Sequence, residues 1–245
     1  MPEQIAGMAP LVFAAAAIVI LVASIVQTNL GMGFGMTAGP LVALIDPALV
    51  PAPVLLLSFT TAFVPAVKNR GSVVWPHALV ALAGRAAGTA LGVVVLAHLP
   101  DVDTFSLVFG LVILFALALS VFARPFEASL SHLGLAGLCS GAMAAITTVG
   151  GSPMALVYAS QPPAKAKGTL GAFFAMGAVV SIIGLTLSGH LGRPELLAAL
   201  TLAPFMVAGI VLAPPLQPFI DRRYRLALHL MSFVAAILLI ARGLV

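Results

Sequence analysis

Gly31-Met32-Gly33-Phe34-Gly35-Met36-Thr37-Ala38-Gly39-Pro40 sits inside 42 consecutive residues, between Glu3 and Asp46, that carry no charged side chain. One membrane crossing takes about 20 apolar residues, so this run is nearly twice too long for a single helix. Its centre is also its weakest helix. Relative to alanine, a helix interior loses about 1 kcal/mol at each glycine and about 3 kcal/mol at a proline. The stretch therefore reads as a break between two helical arms. A second stretch repeats the pattern: Thr147-Thr148-Val149-Gly150-Gly151-Ser152-Pro153 interrupts the 37 charge-free residues between Glu127 and Lys165. Proline suits the first position of a helix, where its missing N–H has no partner to lose. Ser152-Pro153 is accordingly expected to be an N-cap followed by the first helical residue, with Gly39-Pro40 a weaker version. Each long run becomes a hairpin with a long arm, an unwound tip and a short helix starting near Pro40 or Pro153. The short arms are expected to end before Pro51 and Pro53, and before Pro162 and Pro163.

Working outward, the first long run is followed by charge-free gaps of 21, 30 and 20 residues, the middle one interrupted only by Arg85. The second is followed by gaps of 25, 25 and 16. One double-length gap and three single ones, twice over, is an internal repeat. The expected architecture is all-α and polytopic, with two inverted repeats, each a broken helical hairpin plus three transmembrane helices. The first repeat spans 1–125, with hairpin 10–48 and helices 51–67, 72–97 and 104–123. The second spans 126–245, with hairpin 133–161 and helices 168–190, 195–217 and 226–244. Charge placement tests the hairpins. If each long run crossed once, the ten basic residues other than Arg85 would split evenly between the two sides. If each returns to its own side, Lys68, Arg70, Arg124, Lys165, Lys167, Arg222, Arg223 and Arg225 lie together, opposite Arg193 and Arg242. The second arrangement obeys the positive-inside rule. It puts Asp46, Asp101, Asp103 and Glu195 outside, with both termini facing outward.

Composition excludes most other classes. The 245 residues are 62% hydrophobic and 7% charged, with a mean hydropathy of +1.20. Soluble domains run nearer 25% charged, so too little polar surface exists here to coat a water-soluble globule. The excess of 11 basic over 7 acidic residues is topological, and nucleic-acid binding drops out. Cys139 is the lone cysteine and cannot form an intramolecular disulfide. The acidic start Met1-Pro2-Glu3-Gln4 argues against a cleaved signal peptide, so the first hydrophobic segment is expected to remain.

Unwound backbone is tolerated at membrane depth only where protein buries it or it lines a cavity, and paired broken helices commonly frame a transporter's central site. Helix N-termini carry partial positive charge and free N–H groups, which favour an anion. The candidate binding residues are Asn29, Gly33, Gly35 and Thr37 in the first hairpin, and Thr147, Thr148, Gly151 and Ser152 in the second. Ser58, Thr60 and Thr61 lie on the following helix. Each hydroxyl could equally bond a carbonyl of its own helix. Arg85 falls mid-span in Gly84-Arg85-Ala86-Ala87-Gly88-Thr89-Ala90-Leu91-Gly92, where a charge costs roughly 2.5–3.5 kcal/mol or more. All seven acids sit at segment ends, so either carbonyls at a broken helix, Asp46 by a bend or snorkelling satisfies it, or a bound anion does. Gly84, Gly88 and Gly92 form a stripe suited to helix packing. With no intramembrane carboxylate, cation exchange is disfavoured. Of the histidines, His77 and His229 fall just inside helix ends, and His98, His132 and His190 fall in or beside loops.

A membrane-embedded enzyme is the rival class, but no HExxH, nucleophile elbow or Walker A motif occurs, and Gly31-Met32-Gly33-Phe34-Gly35 lacks the spacing and preceding strand of a dinucleotide site. An anion channel of the same architecture stays open. No metal or other cofactor is expected.

Four features resemble the TauE/SafE sulfite-exporter family of bacterial membrane proteins. They are the break from Gly31 to Pro40, Lys68-Asn69-Arg70-Gly71 leading to Val74-Trp75, Gly150-Gly151-Ser152-Pro153, and Arg222-Arg223-Tyr224-Arg225 ahead of the last helix. The similarity covers essentially the whole chain. It implies a multi-pass protein of the bacterial inner membrane that exports or takes up sulfur-containing oxyanions, sulfite and organosulfonates such as sulfoacetate, or related organic anions. The expected partners are a small anionic substrate and the lipid bilayer, with a homodimer left open beside a monomer.

Overall fold

The computed structural model describes residues 8–30, 33–219 and 222–244, and among these it is all-helical. Ten α-helices follow in order: α1 (Pro10–Leu30), α2 (Phe34–Ile45), α3 (Ala52–Lys68), α4 (Trp75–Ala97), α5 (Val102–Phe122), α6 (Leu130–Thr147), α7 (Gly151–Tyr158), α8 (Pro163–Leu187), α9 (Arg193–Leu216) and α10 (Arg222–Arg242). Six of them, α1, α4, α5, α6, α8 and α9, are long and apolar enough to cross a membrane. The expectations resting on Glu3, Gly31, Met32 and Asp221, and on the side chains of Arg222, Arg223 and Arg225, lie outside the described residues.

Large apolar side chains face outward along the bundle, among them Leu91 and Val94 of α4, Phe115 of α5, Val211 of α9 and Phe233 of α10. In lipid these positions are solvated by acyl chains, so the inside of the bundle is free to use small residues. It does so at the α4–α6 contact. A Cβ on Gly84 or Gly88 would strike the carbonyl oxygens of Gly134 and Leu138, and one on Gly137 or Gly141 would strike those of Ala81 and Arg85. The two helices run parallel with backbones touching, which explains the glycine stripe.

Several contacts fix which helix ends share a face. Val74 N–H donates to Thr169 Oγ1 at 3.0 Å, His77 Nδ1 lies 3.0 Å from Tyr158 Oη, and Phe126 N–H donates to the Leu156 carbonyl. The end of α3, the start of α4, the ends of α5 and α7 and the start of α8 therefore lie together, with Lys68, Arg70, Arg124, Lys165 and Lys167. On the opposite face Ala52, Leu96 and Leu185 pack with Leu99, Phe105 and Leu191. The acids of this face cap helices and turns: Asp46 accepts from Ala48 N–H, Asp101 from Thr104 N–H and Glu195 from Gly192 N–H. The Thr104 amide holds the Asp101 carboxyl below its ordinary range.

The main packing pairs exchange between the halves. α1 packs on α9 as α6 packs on α4, α2 on α10 as α7 on α5, and α3 on α9 as α8 on α4, while α3 meets α8 and α5 meets α10.

The helix starts differ from the proline-based expectation. α2 begins at Phe34 and carries Pro40 in its interior, and α7 begins at Gly151 with Gly150 as N-cap, so Ser152 and Pro153 lie inside its first turn. Pro153 is harmless there because first-turn N–H groups have no intrahelical acceptor. Pro40 has a different remedy. It cannot donate to the carbonyl of Met36, four residues earlier, and Ser232 Oγ of α10 donates to that oxygen instead, at 2.8 Å. Ser232→Ala should therefore strand a part-buried carbonyl and lower stability by about 1 kcal/mol. Adding Pro40→Ala restores the intrahelical N–H, so the double variant should melt closer to the parent than Ser232→Ala alone.

Candidate anion site

The two breaks meet. α1 ends at Leu30 and α2 is entered through Gly33, which holds φ 114° as N-cap. α6 ends at Thr147, and Thr148 adopts φ 66°, a left-handed conformation rare for a β-branched residue. The first turns of α2 lie across the second break so closely that a Cβ on Gly35 would collide with the Thr148 carbonyl oxygen. One on Gly39 would stand 2.7 Å from the Thr147 carbonyl oxygen.

A cavity of about 440 Å³ opens beside this crossing. Its walls are mostly apolar, and its polar side chains come from seven helices, among them Gln27 of α1, Thr37 of α2, Ser58 of α3, Arg85 of α4, Ser120 of α5 and Ser152 of α7. His229 and Ser232 of α10 and Thr148 of the second break complete the set. At one end the lining reaches Pro125 and Ala159, both exposed, on the face that carries Arg124, Lys165 and Lys167.

Arg85 is 3% exposed, and among the described residues no carboxylate pairs with it. Its Nη1 donates to Ser140 Oγ at 3.0 Å and its Nη2 to Ser181 Oγ at 3.5 Å, while the Phe173 ring centroid lies 5.2 Å from Cζ. Gly177 of α8 makes room for it, since a Cβ there would overlap the guanidinium. Nε is buried with no partner. Two hydroxyls and a ring offer dipoles and a quadrupole but no formal charge, so the cation is solvated in part and not neutralised. Ser140 also donates to the Gly150 carbonyl at 2.5 Å, which ties the arginine to the N-cap of α7.

Of the residues singled out in the sequence, Gly33, Gly35, Thr37, Ser58, Arg85, Thr148, Gly151 and Ser152 line the cavity. Asn29, Thr61 and Thr147 are not among the lining residues, and their side chains serve the backbone. Asn29 Nδ2 donates to the carbonyls of Ile25 and Ala213, both at 3.0 Å, and so joins α1 to the end of α9. Thr61 Oγ1 donates to the Ser58 carbonyl. Thr147 Oγ1 donates to the Met143 carbonyl and accepts from Val149 N–H, closing the end of α6. Thr148 Oγ1 is buried without a partner.

Sequence reasoning passed over Gln27, whose Oε1 accepts from the first amide of α2, Phe34 N–H, at 2.9 Å. An amide inside a charge-free apolar run was the available signal. It also passed over Ser120, which lies 2.9 Å from Ser152 across the α5–α7 contact, and over Ser140, Ser181 and Ser232. Serines are common in membrane helices, and nothing local separates these from the rest. Among the described residues, no three His, Cys, Asp or Glu side chains gather into a metal-binding group.

A multi-pass helical bundle, with two broken helices crossing beside a cavity that holds an unneutralised arginine, has the build of a membrane transport protein. The model of the sulfite exporter TauE/SafE family matches residues 16–239, and the chain belongs to that family of membrane transporters. No curated protein and no solved structure matches it significantly.

Proposed function

We propose that this chain is a secondary transporter that exports small oxyanions, among them sulfite, sulfoacetate and related sulfonates, across the bacterial inner membrane by alternating access. The observation that carries the reading is Arg85: a buried guanidinium without a carboxylate, on the wall of a cavity bounded by both helix breaks. A partly solvated buried cation is costly, and an oxyanion that receives its remaining N–H groups offsets that cost. The halves 1–125 and 126–245 are read as inverted repeats, on the strength of the packing pairs that exchange between them. With the cavity reaching exposed residues on the basic face, the conformation described is the inward-facing one under the positive-inside rule. Rocking one group of helices against the other would close that mouth and open the opposite face.

The test is flux into proteoliposomes across a panel of sulfite, sulfoacetate, taurine, sulfate, acetate and chloride, read both as current and with an internal pH dye. Saturable transport of sulfite or sulfonates with none of chloride is the expected result. Unsaturable current for every anion would replace the carrier by a channel, and silence in both readouts would reject anion transport.

A further inference from the structure

The charge count of the cavity allows a sharper statement about what fits it. Among its described lining residues Arg85 is the only Lys, Arg, Asp or Glu, and His229 is the only histidine. The helix dipoles add little net charge. At each break the C-terminal end of a long arm, α1 or α6, lies next to the N-terminal end of a short one, α2 or α7, so half-charges of opposite sign meet. The breaks supply directed hydrogen-bonding groups, and the formal charge of the site is that of one guanidinium.

We infer that, granted the anion-transport reading above, the site selects singly charged tetrahedral or pyramidal oxyanions carrying an apolar substituent over doubly charged ones. Two scalings decide this. Attraction to a fixed unit charge grows in proportion to the ligand's charge, whereas the cost of stripping its water grows with the square of that charge. A monoanion leaves the buried pair neutral. A dianion pays about four times the desolvation for twice the attraction and leaves one negative charge uncompensated. The walls agree with this preference, because Val26, Phe34, Leu55, Ala155, Phe174 and Ala178 can contact a substituent that replaces one oxygen. Two buried polar atoms have no partner in this conformation, Nε of Arg85, turned toward Gly177, and Oγ1 of Thr148, turned toward Gly35 and Gly39. Each η nitrogen of Arg85 keeps an N–H beyond its serine bond that can donate to a ligand oxygen. Among the proposed substrates, simple alkanesulfonates rank ahead of hydrogen sulfite, which lacks the apolar substituent, and of sulfoacetate, which carries two charges.

Methanesulfonate and sulfate isolate the variable, since both are sulfur oxyanions of similar size and differ in a methyl group for an oxygen and in one unit of charge. Binding of each to the full chain in detergent is measured by isothermal calorimetry at pH 8, where imidazoles carry little charge. Methanesulfonate is expected to bind at least about tenfold more tightly than sulfate, with ethane- and propanesulfonate at least as tight as methanesulfonate. Sulfate binding equally or more tightly would overturn the inference and leave an anion site standing. Failure of sulfite, sulfate and every sulfonate to bind would overturn the anion-site reading itself, and the inference with it.

Discussion

Arg85→Gln is expected to weaken sulfonate binding and transport by at least about 30-fold while leaving the fold no less stable than the parent. Truncating one partner of a buried, hydrogen-bonded charge pair costs about 2–5 kcal/mol, and each 1.4 kcal/mol is a factor of ten. The stability half of the expectation separates the two roles an intramembrane arginine can have. If Arg85 braced the helices, its loss would lower the melting temperature, because its contacts to Ser140, Ser181 and Phe173 would disappear with nothing gained. If it is held for a ligand, the substrate-free protein loses an incompletely satisfied buried cation and melts at the same temperature or higher. Thermal unfolding with and without sulfonate reads both effects. A parent-like response to sulfonate in Arg85→Gln would remove Arg85 from the site.

Gly35→Val should be more damaging still, and by another route. The obstacle to a side chain at Gly35 is the main-chain oxygen of Thr148, which cannot rotate aside as a side chain would. Overpacking typically costs about 1–3 kcal/mol, and a backbone obstacle puts this site at the upper end or beyond. The two breaks would be pushed apart, and loss of monodisperse protein on size exclusion together with loss of flux is expected. Gly151→Ala is the companion variant. Its Cβ would meet nothing closer than the Phe174 ring edge at 4.0 Å, so it should fold like the parent. If both variants behaved alike, glycine in these breaks would be serving local flexibility, and the crossing would not matter.

These two glycines also mark how far the sequence could be read. Both breaks were visible because glycine and proline interrupt runs too long for one crossing. The start of α2 was not, because the rule that proline opens a helix fails where a distant group repairs the damage. Ser232 supplies the bond that Pro40 cannot make, from 196 residues away. Arg85 was conspicuous as the only charge in mid-span, yet its hydroxyl partners Ser140 and Ser181 lie 55 and 96 residues off. Asn29, Thr61 and Thr147 carry the same chemistry as Thr37 and Thr148. What separates them is which way each faces, since Thr37 too donates to a carbonyl of its own helix, that of Gly33, and facing is decided by tertiary packing. The all-helical membrane architecture needed only hydropathy and charge spacing, which are local.

The pairing of α1 with α9 bears on how the protein is made. Asn29 bonds the carbonyl of Ala213, 184 residues later, and Gly209 packs against the main chain at Leu21. During synthesis α1 therefore meets its main partner only when α9 has emerged from the ribosome. Until then Asn29, near the end of α1, must wait in lipid without the Ala213 carbonyl it bonds in the finished bundle. Insertion of the first half alone should leave a species open to quality-control proteolysis, rescued when 126–245 is supplied as a separate chain.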